Sequence, residues 1–288
     1  MPLSAWLFAL AAAILFGLAL NLAQRGMAHI EPALGSVISI PTACCLFWLS
    51  APFTADFSGW RNDAALLFAT TGLFYPAAVT ILTFEATRRL GPNVTAALGN
   101  LAPLYAVAAG VLLLGEVLGL RQYAGLAVLM AGVTVLTTSR NLGGASWPLW
   151  ALALPLIGSA LRGLGQPLLK IGSQWWNNPR VATLLCYASS ATVVIIVGLL
   201  RTRGTKARFT PRGVAWFMAV GIANGIATWA GIEAVSRGPV SLVTPVVATY
   251  PLFTLAIGRA MSLKADLSWQ QGAGVALTVA GIVLLLAG

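Results

Sequence analysis

The spacing of its apolar runs constrains this chain more than any other feature. Cut at charges, prolines and glycines, the sequence yields ten mostly apolar stretches, at about 3–24, 32–50, 64–84, 93–114, 122–138, 148–169, 179–200, 213–235, 240–261 and 269–287. A helix needs about 20 such residues to cross the hydrocarbon core of a bilayer. Ten of them use most of the 288 residues and leave gaps too short for a soluble domain. Backbone amides in lipid must bond within their own segment, so all ten are expected to be helices of an all-α, polytopic membrane protein. Composition agrees: 58% of the residues are apolar and 8% charged, against roughly 25% charged in a soluble domain. A water-soluble globular protein is excluded. The net charge of +10 does not indicate nucleic acid, because a nucleic-acid binder needs its basic residues on one exposed face. Here they sit in the gaps between apolar runs, as in a membrane protein.

Those basic residues also suggest an orientation. Odd-numbered gaps hold eleven (Arg25, Arg88, Arg89, Arg140, Arg201, Arg203, Lys206, Arg208, Arg212, Arg259 and Lys264), and even-numbered gaps hold five (Arg61, Arg121, Lys170, Arg180 and Arg237). Cytoplasmic gaps carry the excess of Lys and Arg, so both termini are expected outside the cytoplasm. Residues 1–23 carry no Lys or Arg, unlike the basic start of a signal peptide. Cys44, Cys45 and Cys186 all fall within apolar runs and read as small buried residues.

The two halves of the chain resemble each other, with a join near residues 143–146. FEATRRLGP (84–92) is echoed by IEAVSRGP (232–239), and Glu85 and Glu233 each precede a proline, Pro103 and Pro251, by eighteen residues. GLAVLMAGV (125–133) is echoed by GVALTVAGI (274–282), and Asn21 and Arg25 by Gln166 and Lys170. Residues 1–143 and 144–288 are therefore expected to form two five-helix repeats. Five is odd, so the second repeat is expected upside down. Inverted repeats are the architecture of many secondary transporters, whose substrate site lies between the halves near the midplane.

The stretch LLGEVLGLRQYAGLAVLMAGVTVL (113–136) resembles the repeat signature of the EamA-type drug/metabolite transporters at Gly115, Glu116, Gln122, Gly125, Ala131, Gly132 and Val133. The second copy (262–285) keeps Gln270 or Gln271, Gly274, Ala280 and Gly281, but has Lys264 in place of the glutamate. The resemblance covers the whole chain. It implies ten helices in the cell (inner) membrane and export of amino acids and other small metabolites. The chain is also similar to the YddG-like branch of aromatic and neutral amino-acid exporters. Many members of the family keep both termini in the cytoplasm, opposite to the charge count here.

Polar groups at membrane depth are costly and face a cavity or a partner. The candidates for substrate binding are Asn21, Tyr75, Thr80, Asn100, Tyr105, Arg162, Gln166, Tyr187, Asn224, Thr228, Trp229 and Tyr250. Arg162–Gln166 and Asn224–Thr228 are spaced four apart and share a helical face. For Asn, Gln and Thr, hydrogen bonding between helices is an equally good reading. The aromatic residues serve either as a lining or as interfacial anchors. Pro103 and Pro251 occupy equivalent positions and are expected to kink their helices, the paired interruption that points to a transporter site, unless the kinks serve packing alone. Arg162 lies about fourteen residues into its run, where an unpaired cation is costly. It binds a substrate carboxylate, caps freed carbonyls or snorkels. Gly125, Gly132, Gly274 and Gly281 recur at sevens on one face and read as close helix packing, between spans 5 and 10 or across a dimer.

All seven acids, Glu31, Asp56, Asp63, Glu85, Glu116, Glu233 and Asp266, lie in gaps or at span ends. That disfavours export of lipophilic cations, which is expected to need a carboxylate in the membrane. Glu85 and Glu233 read as end-of-helix partners of Arg88 and Arg237. His29, the single histidine, has no ligand set for a metal, and no cofactor motif is present. The sequence thus favours an exporter of small zwitterionic or neutral metabolites, working as a monomer or homodimer. An exchanger of anionic metabolites such as sugar phosphates remains open. An intramembrane enzyme lacks an acid/base constellation, and a receptor or scramblase lacks an extramembrane domain.

Overall fold

The computed structural model describes residues 1–138, 149–202, 209–261 and 269–286. The protein is all-α, with α1 (Leu3–Met27), α2 (Pro32–Thr54), α3 (Asn62–Gly72), a π-helical bulge (Leu73–Ala78), α4 (Val79–Gly99), α5 (Ala102–Leu114) and α6 (Leu120–Thr138) in its first half. A 3₁₀ turn (Leu149–Leu152), α7 (Ala153–Trp175), α8 (Pro179–Thr202), α9 (Pro211–Arg237), α10 (Val240–Val247), α11 (Tyr250–Ala260) and α12 (Trp269–Leu286) follow. Among the described residues, six segments are long and apolar enough to cross a membrane, and three further apolar helices are shorter. The join near residues 143–146, and Arg140, Arg203, Lys206, Arg208, Lys264 and Asp266, lie outside the described residues.

Burial runs opposite to that of a water-soluble protein. On α1 the buried positions are small, Ala5, Ala9, Ala12, Ala13, Gly17 and Ala23. Leu3 and Leu7, by contrast, are 75% and 60% exposed. Lipid solvates leucine well, so helices gain from close backbone approach rather than from hiding large apolar side chains. The small face of α1 packs on α9, and its second half on α11. In reciprocal fashion α7 packs on α3, α4 and α5, while α2 lies against α9 and α8 lies against α3. The expected contact between spans 5 and 10 is present as α6 against α12. There a Cβ on Gly125 would meet the Leu285 backbone nitrogen, one on Gly132 that of Thr278, and one on Gly281 that of Leu129.

Four readings are corrected. Residues 85–92, expected as a gap, lie within α4. Ala86 and Leu90 bury against Ala151, and Glu85 pairs with Arg89 one turn on at 2.6 Å, which supports a helix. Lys170, counted in a gap, lies within α7. Of the cysteines only Cys186 is buried; Cys44 is half-buried and Cys45 exposed, on a helix whose apolar neighbours Trp48 and Leu49 are also exposed. Finally, the prolines do not sit in kinked mid-helices. Each opens a new helix: Pro103 follows a break at Asn100 and Leu101, and Pro251 one at Ala248 and Thr249. Proline fits the first helical turn, where its missing N–H has no partner to lose.

Candidate functional site

The helix breaks lie at equivalent positions of the two halves, and a third irregularity, the π-helical bulge, precedes both in the chain. Tyr75, which precedes Pro76, has φ −125° and ψ 113° inside the π-helical bulge, as expected of a residue whose α conformation proline disfavours. The bend turns the buried Tyr75 ring onto α7, where a Cβ on Gly165 would lie 3.3 Å from it. The Gln166 amide donates to the Tyr75 hydroxyl at 3.4 Å. Arg162, one turn earlier on α7, is half-buried and acts electrostatically on the same hydroxyl.

Tyr187 of α8 joins this group from the second half. Its hydroxyl donates to the Asn224 carbonyl at 3.3 Å and shares a hydrogen bond with the Thr228 hydroxyl at 3.1 Å, and its ring packs on Phe47. The bulge carrying Tyr75 packs on α8, where the Ser190 hydroxyl donates to the Gly72 carbonyl. The structure therefore brings together Tyr75, Arg162, Gln166, Tyr187, Asn224 and Thr228, from the bulge, α7, α8 and α9. Tyr105 lies at the edge, where α5 crosses Gly163. Among the described residues the Arg162 guanidinium meets no hydrogen-bond acceptor and no carboxylate, and the half-buried Asn224 side-chain amide has no bond either.

Other candidates lie elsewhere. Asn21 donates both to the Gly17 carbonyl and to the Thr254 carbonyl of α11, each at 2.9 Å, so it joins two helices. Asn100 is buried at the break before α5, Tyr250 is the first residue of α11, and Thr80 is half-buried on α4. Trp229 stacks edge-on against Phe8 and lies beneath the Arg180 guanidinium, its indole N–H buried without an acceptor among the described residues. It lies one turn below Glu233. A cavity of about 490 Å³ opens there, lined by Pro2, Ser4, Asn177, Pro179, Glu233, Ser236 and Arg237.

Glu233 pairs with Arg237 at 2.7 Å, as expected. The structure gives Glu85 the partner Arg89, whose repeat equivalent is Arg237. Among the described residues no group of three His, Cys, Asp or Glu side chains is placed to hold a metal.

Sequence reasoning missed the contacts that tie this same end of the molecule. Arg180 donates to the Thr54 carbonyl at 2.7 Å, and Asn178 to the Asp56 carbonyl. The Ser58 amide and hydroxyl hold the Asp56 carboxyl below its usual range. Glu116 and Lys170 bind backbone groups around the α9–α10 junction. Glu116 stood in the repeat signature and Lys170 in the repeat match, so both were marked, but not for this role.

Apolar helices with large residues outward, paired helix breaks and a half-buried arginine without a partner among the described residues fit a multi-pass membrane transporter of small molecules. The profile of the EamA-like transporter family matches residues 3–138 and again 149–287, and the chain belongs to that family. A solved crystal structure shares the fold, with a TM-score of 0.83 and 19% sequence identity, over 98% of this chain and 95% of that one. No curated protein matches the chain at significant similarity.

The paired breaks lead to an expected result. Pro103→Ala and Pro251→Ala each restore an amide donor that lets the helix run on through the break. Both variants should insert and purify as folded protein yet transport more slowly. Unchanged initial rates for both in proteoliposomes would reduce the breaks to packing features.

Proposed function

We propose that the protein is a secondary exporter of small zwitterionic or neutral metabolites, amino acids first, of the YddG-like kind. Its ten spans form two inverted five-helix repeats, 1–143 and 144–288, that work by alternating access. The observation that carries this reading is Arg162. It stands near the middle of α7 with no acceptor among the described residues, and its fork takes a carboxylate through two parallel hydrogen bonds. Gln166 orients the same group. The cluster contains no carboxylate, so a substrate ammonium is held by neutral oxygens, those of Asn224, Thr228 and the two tyrosines. Thr80, Tyr105, Trp229 and Tyr250 extend the lining, and Asn21 and Asn100 hold the helices that frame it.

The same absence of acids favours a second reading, exchange of an anionic metabolite such as a sugar phosphate. Counterflow of labelled solutes in proteoliposomes separates the two. Trans-stimulated uptake of aromatic or neutral amino acids supports the first, and stimulation by organic phosphates alone supports the second.

The same reading places the protein in the inner membrane, as a monomer or homodimer, with both termini outside. A thiol introduced at the last residues should react with an impermeant reagent from outside the cell, and one between 203 and 208 should not. The reverse pattern would mean that the charge count misassigns the orientation.

A further inference from the structure

The junction between α9 and α10, residues 236–241, is held by two side chains of opposite charge. Lys170 reaches from α7 and donates to the Ser236 and Gly238 carbonyls at 3.3 and 3.0 Å. Glu116 reaches from the turn after α5 and accepts the Val240 and Ser241 amides, one on each carboxylate oxygen, at 2.7 and 2.8 Å. A helix C-terminus presents unpaired carbonyls and partial negative charge, and an N-terminus presents unpaired amides and partial positive charge. Each charge therefore meets the helix end that complements it. Glu116 belongs to the first half and α10 to the second, so its bonds cross between halves. They cross at the end of the molecule where Met1 and Gly238 meet.

We infer that Glu116 and Lys170 form a latch that holds the α9–α10 elbow shut, and that opening toward the Met1 end requires Glu116 to leave the N-terminus of α10. The inference rests on the alternating-access reading. A cap serving only to stabilise α10 would need no tie to the other half, whereas this one comes from the turn between α5, which crosses the central cluster at Gly163, and α6. The repeat equivalent of Glu116 is Lys264, which lies outside the described residues. A lysine side chain has no acceptor for amide N–H groups. The sequence therefore does not repeat Glu116 at the equivalent position of the second half.

Thr244 of α10 lies one turn below the latch, with its hydroxyl oxygen buried and without a partner among the described residues. Thr254 of α11 lies toward the other end, where Arg25 donates to the Met261 carbonyl. Thr244→Cys and Thr254→Cys are made singly in the full chain, with Cys44 and Cys45 replaced by Ser, and reconstituted in proteoliposomes sorted by orientation. An impermeant maleimide is added from each side.

Adding Glu116→Gln or Lys170→Gln should raise the labelling rate of the Thr244→Cys thiol from the Met1 side at least tenfold, and lower or leave unchanged that of the Thr254→Cys thiol from the other side. Glu116→Asp, which keeps the carboxylate, should stay nearer the parent rate than Glu116→Gln. The inference fails if folded, monodisperse Gln variants label at the parent rate, or if both reporters rise together, the sign of general loosening. Should the Gln variants unfold, Glu116→Asp decides: its shortened side chain should raise labelling of the Thr244→Cys thiol at the Met1 side alone, and labelling at the parent rate overturns the latch. Labelling is read without transport, so a failed latch leaves the counterflow result standing, and a failed counterflow leaves the latch testable.

Discussion

Replacing Arg162 by Gln should raise the amino-acid concentration needed for half-maximal transport by about ten- to a hundredfold. A hydrogen bond to a charged group contributes about 1.5–3 kcal/mol, and each ~1.4 kcal/mol is tenfold in affinity. The loss falls on binding because, among the described residues, the guanidinium has no acceptor to release, so its removal leaves no carboxylate of that set unpaired. Arg162→Lys should fall between, since it keeps the charge and loses the planar fork. An amino-acid amide, lacking the carboxylate, should compete poorly against the parent protein and discriminate less in Arg162→Gln. Equal half-saturation in the parent and in Arg162→Gln would make the arginine structural and move the site elsewhere.

The largest structural effect is expected at the α6–α12 seam. Gly281→Leu places a branched side chain where a single Cβ already meets the backbone of Leu129, and Gly132→Leu does the same against Thr278. Overpacking a close contact typically costs about 1–3 kcal/mol, and here the obstacle is backbone, which cannot change rotamer. Both variants should lose most of their monodisperse protein in detergent, with a melting point lowered by several degrees in what remains. Gly272→Leu, on the same helix with open space around it, should behave as the parent. If Gly281→Leu melts with the parent, the two helices do not depend on this contact.

The site was only partly legible in the sequence. Arg162 and Gln166 stood out because one helical turn separates them inside an apolar run, and the structure keeps them on one face beside Tyr75. Tyr187 stood out as a polar aromatic residue within an apolar run, and Thr228 for the helical face it shares with Asn224. Their hydrogen bond joins helices whose relative placement no local pattern encodes. Asn21 carried the same signal as Asn224, yet the structure commits Asn21 to the Thr254 carbonyl and gives the Asn224 side chain no partner among the described residues. Polarity at depth marks a residue as needing a partner; whether that partner is another helix or a substrate depends on what lies opposite.

The sequence by itself determined the all-α class, because runs of this length and apolarity have only the helix as a way to satisfy their amides in lipid. It also marked Pro103 and Pro251 as paired interruptions and the recurring glycines as close-packing positions, since both follow from single-residue stereochemistry. The tertiary structure decided that α4 continues through residues 85–92, and that Glu116 and Lys170 meet at the α9–α10 elbow. Those outcomes depend on neighbours distant in the chain. Glu116 lies more than a hundred residues from the amides it caps, and a free amide at a helix end is satisfied by whichever acceptor the packing of the two halves brings to it.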